Sequence, residues 1–162
     1  MAGEPIIVAR NCAVIVINEP LARGEAPEGQ SCRWALAPQM AEAIAAPYLD
    51  LCESRDFVVD DALMTRFNGL KRRSLILMGA LLEGAVTQIA LSTLLEGYDV
   101  YVCADQVATA DPAREALFLE RIRFCAGHIV TARQILLELL SREKDEKKRE
   151  PMLALLNAGV RR

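Results

Sequence analysis

Residues 12–17, CAVIVI, restrict the fold more than any other stretch: six apolar residues in a row, four of them β-branched. A run without polar alternation suits a strand buried on both faces, the situation of a strand inside a parallel sheet. Residues 74–78 (SLILM) and 99–104 (DVYVCA) repeat the pattern, and residues 128–130 (HIV) add a shorter version. Helical patterns lie between these runs. Strands that alternate with helices predict an α/β fold, a three-layer α/β/α sandwich around a central, mostly parallel Rossmann-like sheet.

The intervening segments give the helices. Residues 21–31 carry Gly24, Pro27 and Gly29 among polar residues and read as a loop. Pro38 can start a helix through about residue 53, with a kink or split at Pro47. Asp60 is a candidate N-cap for residues 60–68, with Leu63, Met64 and Phe67 on one face and Gly69 as the stop. Further helices are expected over residues 84–96, ended by Gly97, over 112–125, with proline in the first turn, and over 131–141.

A chain of 162 residues, 52% of them hydrophobic, can bury one substantial core and is short for two domains. A net charge of −3 gives no basic excess to meet a phosphate backbone, which argues against nucleic acid as a partner. Glu4, Arg10 and Asn11 interrupt the stretch a signal peptide would need, and no apolar run is long enough to span a membrane. A soluble, cytoplasmic protein is expected. The five cysteines, Cys12, Cys32, Cys52, Cys103 and Cys125, are odd in number and have no paired spacing, so reduced thiols are expected. With His128 the single histidine and no C-x-x-C pair, no metal site of the usual Cys/His kind and no cofactor are expected.

Residues 75–109, LILMGALLEGAVTQIALSTLLEGYDVYVCADQVAT, resemble the signature half of the isochorismatase-like cysteine hydrolases, the superfamily of nicotinamidases and N-carbamoylsarcosine amidases. The likeness continues through Ala116, Leu117, Gly127 and the Ile129-Val130-Thr131 run, whereas the first 70 residues follow the pattern poorly. The resemblance implies a strand ending in glycine, a turn containing a cis peptide, and a helix that opens on a nucleophilic cysteine just before a valine. It also implies a glycine-aromatic pair before the next strand and an aspartate after it, here Gly97-Tyr98 and Asp105. A helix N-terminus suits that chemistry, because unpaired N–H groups and the positive dipole end stabilise a thiolate and then an oxyanion.

On this resemblance the nucleophile's position is Ala85, and the catalytic aspartate's position at the end of the first strand is Asn18, followed by Pro20 where the family has glutamine. Alanine offers no nucleophile, and an asparagine amide cannot take a proton from a thiol. The family's lysine belongs between the first strand and the strand ending in glycine. The four lysines are Lys71, Lys144, Lys147 and Lys148, so none precedes Lys71, which lies at the wrong end of its strand. The first half also reads as reduced, with Phe57-Val58-Val59 the one candidate for a second strand and no place for the aspartate and histidine metal ligands of some nicotinamidases.

The vestigial site residues are therefore Asn18 and Ala85, and the possible pocket lining is Asn18, Leu81, Leu82, Glu83, Gly84, Ala85 and Thr87. Each has a plainer reading beside the functional one. Glu83 suits a first-turn acid on the helix dipole, Asp105 an Asx-type cap of its loop, and His128 a structural place. Arg72 and Arg73 read as surface charges before a strand, and Thr87 has no identifiable base. Domain limits of 1–142 for the isochorismatase-like unit and 143–162 for a charged helical extension follow. That tail reads as a solvated, frayed helix or as an arm docking on a neighbouring subunit. The expected function is a non-catalytic structural or partner-binding subunit, in a homo-oligomer or beside an active enzyme. Alternatives are a hydrolase of a small amide, or a related C–N or C–O substrate, through a rebuilt site around Asn18, Glu83 and Thr87, and a small-molecule sensor.

Overall fold

The computed structural model describes residues 7–18, 34–51 and 59–159. Five strands form one parallel sheet in the order β2-β1-β3-β4-β5: β1 (Cys12–Asn18), β2 (Tyr48–Leu51), β3 (Ser74–Ala80), β4 (Asp99–Ala108) and β5 (His128–Val130). Six helices flank it: α1 (Leu36–Ala43), α2 (Asp61–Gly69), α3 (Thr87–Leu95), α4 (Glu115–Phe124), α5 (Ala132–Arg142) and α6 (Glu146–Ala158). This is the three-layer arrangement predicted from the alternation.

The two-sided burial of the strands divides the core by residue parity, because successive side chains point to opposite faces. Cys12, Val14 and Val16 of β1 join Ile76 and Met78 of β3 beneath α1, α5 and α6. Ala13, Ile15 and Ile17 join Leu75 and Leu77 beneath α2, α3 and α4. The charged tail is part of this packing: α6 places Met152 and Leu156 in the first cluster, in contact with α1 and α5. Arg149 fixes it further, its guanidinium Nη1 donating to the carbonyls of Leu140 and Glu143 at the end of α5 at 2.5 and 2.9 Å.

Several expected boundaries are corrected. Residues 38–53 are not one kinked helix: α1 ends at Ala43, and Tyr48–Leu51 is a second strand, paired in parallel with residues 14–17 of β1. The first half thus keeps its second strand, at four residues. Phe57 and Val58 lie outside the described residues, as do the loop read over 21–31, Pro20, Cys32 and Cys52, and Val59 belongs to no regular element. Of the described cysteines, Cys12, Cys103 and Cys125 are free thiols. The helix expected from Gly84 begins as a π-type turn, Leu82–Val86, interrupted by non-helical backbone at Gly84, before α3 proper. β4 runs on to Ala108 through a register shift against β3 between Leu77 and Gly79. No helix among the described residues is long and apolar enough to cross a membrane.

Candidate functional site at the C-terminal edge of the sheet

The strand order reverses direction at β1, with β2 on one side and β3 on the other. In open parallel sheets the crevice for ligands lies beyond the carboxyl ends of the strands at such a switch point. Those ends are Asn18 and Ala80, which are register partners. The peptide bond between Ala80 and Leu81 is cis, the feature that the resemblance implied after this strand. Gly79 is dictated by the approach of the two strands: its φ is +119°, and a β-carbon there would lie 2.0 Å from the Ile17 carbonyl oxygen.

The predicted residues gather around this turn in different ways. Asn18 is half-buried, and its Nδ2 donates to Asp50 Oδ1 at 2.6 Å. Asp50 is a carboxylate at the site that the sequence does not single out, because the helical pattern over residues 38–53 covers it, whereas Tyr48–Leu51 is a strand. It sits two residues from Tyr48, on the same side of a strand, and raises the Tyr48 pKa after burial, the larger cause, has done so. Glu83 spans two strand ends: its Oε1 accepts from the Ala110 backbone N–H at 2.8 Å, just past the end of β4. Glu83 Oε2 is buried and has no hydrogen-bond partner.

The remaining positions face inward. Leu82 is fully buried and Ala85 is 1% exposed, both in the second core cluster, and Leu81 packs against the first. The Thr87 hydroxyl is buried and donates to the Leu82 carbonyl, tying α3 to the π-type turn. Gly84 is half-buried at the break in that turn.

Thiols are placed elsewhere in the described chain. Cys12 opens β1 at the opposite edge, where burial raises its pKa to about 12 and Arg72 lowers it by less; its thiol donates to the Val8 carbonyl at 3.2 Å. Cys103 is fully buried in β4 and its pKa is raised strongly, first by burial and then by Asp105. Cys125 follows the end of α4. Asp105 does not cap its own loop: its Oδ1 accepts from the Ala132 N–H at 3.0 Å, closing the start of α5 beside the Thr131 and Gln134 capping box. His128 stacks on Tyr101 with ring centroids 4.7 Å apart. Among the described residues no three His, Cys, Asp or Glu side chains cluster as metal ligands would.

The family model for the isochorismatase domain matches residues 2–134. Isochorismatase domain-containing protein 2 of Xenopus laevis is 32% identical over 78 residues, which are 48% of this chain and 38% of that protein's length. The solved structure of YcaC from Pseudomonas aeruginosa, with hexane-2,5-diol and covalent acrylamide, superposes with a TM-score of 0.72 at 16% identity, covering 96% of this chain and 92% of the other. YcaC of Escherichia coli, described as an octameric hydrolase of unknown specificity, gives 0.71 at 18% identity over 93% and 88% of the two chains. The MAR1 ribonuclease of Caenorhabditis elegans gives 0.70 at 15% identity over 96% and 94%.

Proposed function

The chain belongs to the isochorismatase domain family, and from that premise we propose that it is a non-catalytic member, a structural or partner-binding subunit of an assembly. The observation that carries this reading is the side chain at position 85. At the turn after the cis peptide, where the resemblance puts a thiol, the chain has a methyl group sealed in the core. Asn18 stands in the aspartate's position and directs its amide N–H at Asp50, and no lysine precedes Lys71. Members of a catalytic unit act together, so loss of the nucleophile alone removes most of the rate.

The assembly half of the proposal is supported by apolar side chains on the outer layer, with Leu95 88%, Leu117 61% and Phe124 81% exposed. A homo-oligomer accords with the octamer described for the E. coli neighbour, and a companion enzyme would serve equally as the second member. A cytoplasmic location remains part of this proposal.

One observation favours a second reading, a hydrolase with a rebuilt site. Glu83 keeps a buried, unpartnered carboxylate oxygen beside the switch point, and an orphaned acceptor of that kind costs free energy unless something uses it. The test is to incubate purified full-length protein with nicotinamide, other small primary amides and an RNA oligonucleotide. No turnover above the uncatalysed rate is expected. Amide hydrolysis that disappears in Glu83→Gln would replace the first reading with the second. Turnover lost instead in Cys32→Ser or Cys52→Ser would return the protein to thiol chemistry.

A further inference from the structure

The opposite edge of the sheet holds a cavity of about 600 Å³. That volume lies within the range of roughly 300–1,000 Å³ typical of small-molecule sites. Its residues come from the N-terminal approaches to β1 and β3, from the end of α1, and from the junction of α5 with α6. It is separate from the switch point, since parallel strands carry the two edges at their two ends.

The lining is divided by chemistry. Ile7, Ile44, Leu139, Pro151 and Met152 give it an apolar wall. Arg10, Arg72, Arg142, Lys147 and Lys148 supply five cations, against the two carboxylates of Glu42 and Glu143. An excess of three positive charges at one place, in a chain whose net charge is −3, is a local inversion of the molecule's sign. Among the described residues none of the five cations is held in an ion pair.

Arg72 adds an independent observation. Its Nη1 donates to the Lys71 carbonyl at 3.2 Å, but its Nε is buried and has no acceptor in the protein. A buried guanidinium N–H without an acceptor is costly, and Arg72 is one of the residues that line the cavity.

We propose that this cavity is a binding site for a small apolar molecule that bears a phosphate monoester. A carboxylate would answer one cation. A phosphate monoester carries close to two negative charges at neutral pH and three acceptor oxygens, which suits guanidinium forks combined with lysine point charges. The apolar wall then accounts for the body of the ligand. α6 supplies Lys147, Lys148, Pro151 and Met152, so the mixed-charge tail forms one side of the site. The proposal is independent of whether the switch-point edge is catalytic.

Phenyl phosphate is the probe, titrated into the full chain by calorimetry at fixed ionic strength, with inorganic phosphate, phthalate and phenol in parallel. Phenyl phosphate is expected to bind most tightly, inorganic phosphate and phthalate more weakly, and phenol without measurable heat. Arg72→Gln and Lys148→Gln should each weaken phenyl phosphate by about tenfold, while Arg123→Gln, at an exposed position of α4 and paired with Glu120, should leave it unchanged. Lys148 is exposed, so its variant keeps the test sound if Arg72→Gln fails to fold. Absence of binding, phthalate tighter than phenyl phosphate, or equal losses in Arg123→Gln and Lys148→Gln would overturn the proposal.

Discussion

A methyl group on Gly79 would have to occupy the space of the Ile17 main chain, 2.0 Å from its oxygen and 2.7 Å from its nitrogen. Main chain inside a sheet cannot yield as a flexible side chain would, and the positive φ of 119° opposes any L side chain as well. Gly79→Ala should therefore cost at least about 3 kcal/mol, read as a lowered urea midpoint with an unchanged slope. Protonation gives a second prediction at this scale. The folded Cys12 thiol titrates near 12 and its ordinary value is 9.0, so the folded state holds the proton that the unfolded state releases. Stability from this group is complete below pH 9 and is lost as pH rises towards 12, by roughly 2–4 kcal/mol. Cys103 shifts in the same direction, and Tyr101, raised to about 12 mainly by burial, adds to the trend. A denaturation series from pH 8 to 11 should fall, and Cys12→Ala should flatten the fall. A stability that rises over this interval would contradict the assignment of both thiols as buried and protonated.

Helix ends show which local signals a sequence carries. α3 closes with Gly97 N–H on the Leu94 carbonyl and Tyr98 N–H on the Thr93 carbonyl, a Schellman pair with glycine at the left-handed position, and its end was legible. α1 closes the same way through Ala45 and Ala46, and α4 through Ala126 and Gly127, but with alanine at φ of 53° and 71°. No glycine marks the end of α1, so the helical reading ran through Pro47 and concealed β2. That strand is also short and lies at the sheet edge, and its residues 48–51 alternate in exposure where the central strands are sealed on both faces. Tertiary pairing to β1, including the Val14 N–H on the Pro47 carbonyl at 2.9 Å, decides its conformation. Alanine in the left-handed region is strained by about 1 kcal/mol relative to glycine. Ala126→Gly, on an exposed residue, should raise stability by up to about 1 kcal/mol. The Arg149 contact gives the opposite test. Arg149→Ala leaves the last carbonyls of α5 without their donor and should cost about 1–2 kcal/mol, seen as a lower Tm, whereas removing its exposed partner Glu146, 3.8 Å away, should change little.

At the scale of the molecule, the layers were legible because they follow from unbroken apolar runs, and the turn after β3 because residues 75–109 resemble the family's signature. Asp50 and the basic cavity were not, because each is assembled from segments distant in sequence: Asp50 meets Asn18 across 32 positions, and the cavity joins residues 7–10, Arg72 and the start of α6. The same limit applies to surfaces. Leu117 and Phe124 are seven residues apart on α4, two turns along one face, and Leu95 closes α3, which packs beside α4. They contribute little to the core and leave an apolar surface in water, which is unfavourable for an isolated chain and favourable at an interface between copies. If the assembly reading holds, native mass spectrometry at micromolar concentration should give a multimer, and Leu117→Asp with Phe124→Asp should give a monomer. Because both side chains are exposed, the substitutions should move monomer stability by no more than about 0.5 kcal/mol each. A wild-type chain that is monomeric, and that brings no second polypeptide with it from its source, would remove the assembly half of the proposal while leaving the inactive edge untouched.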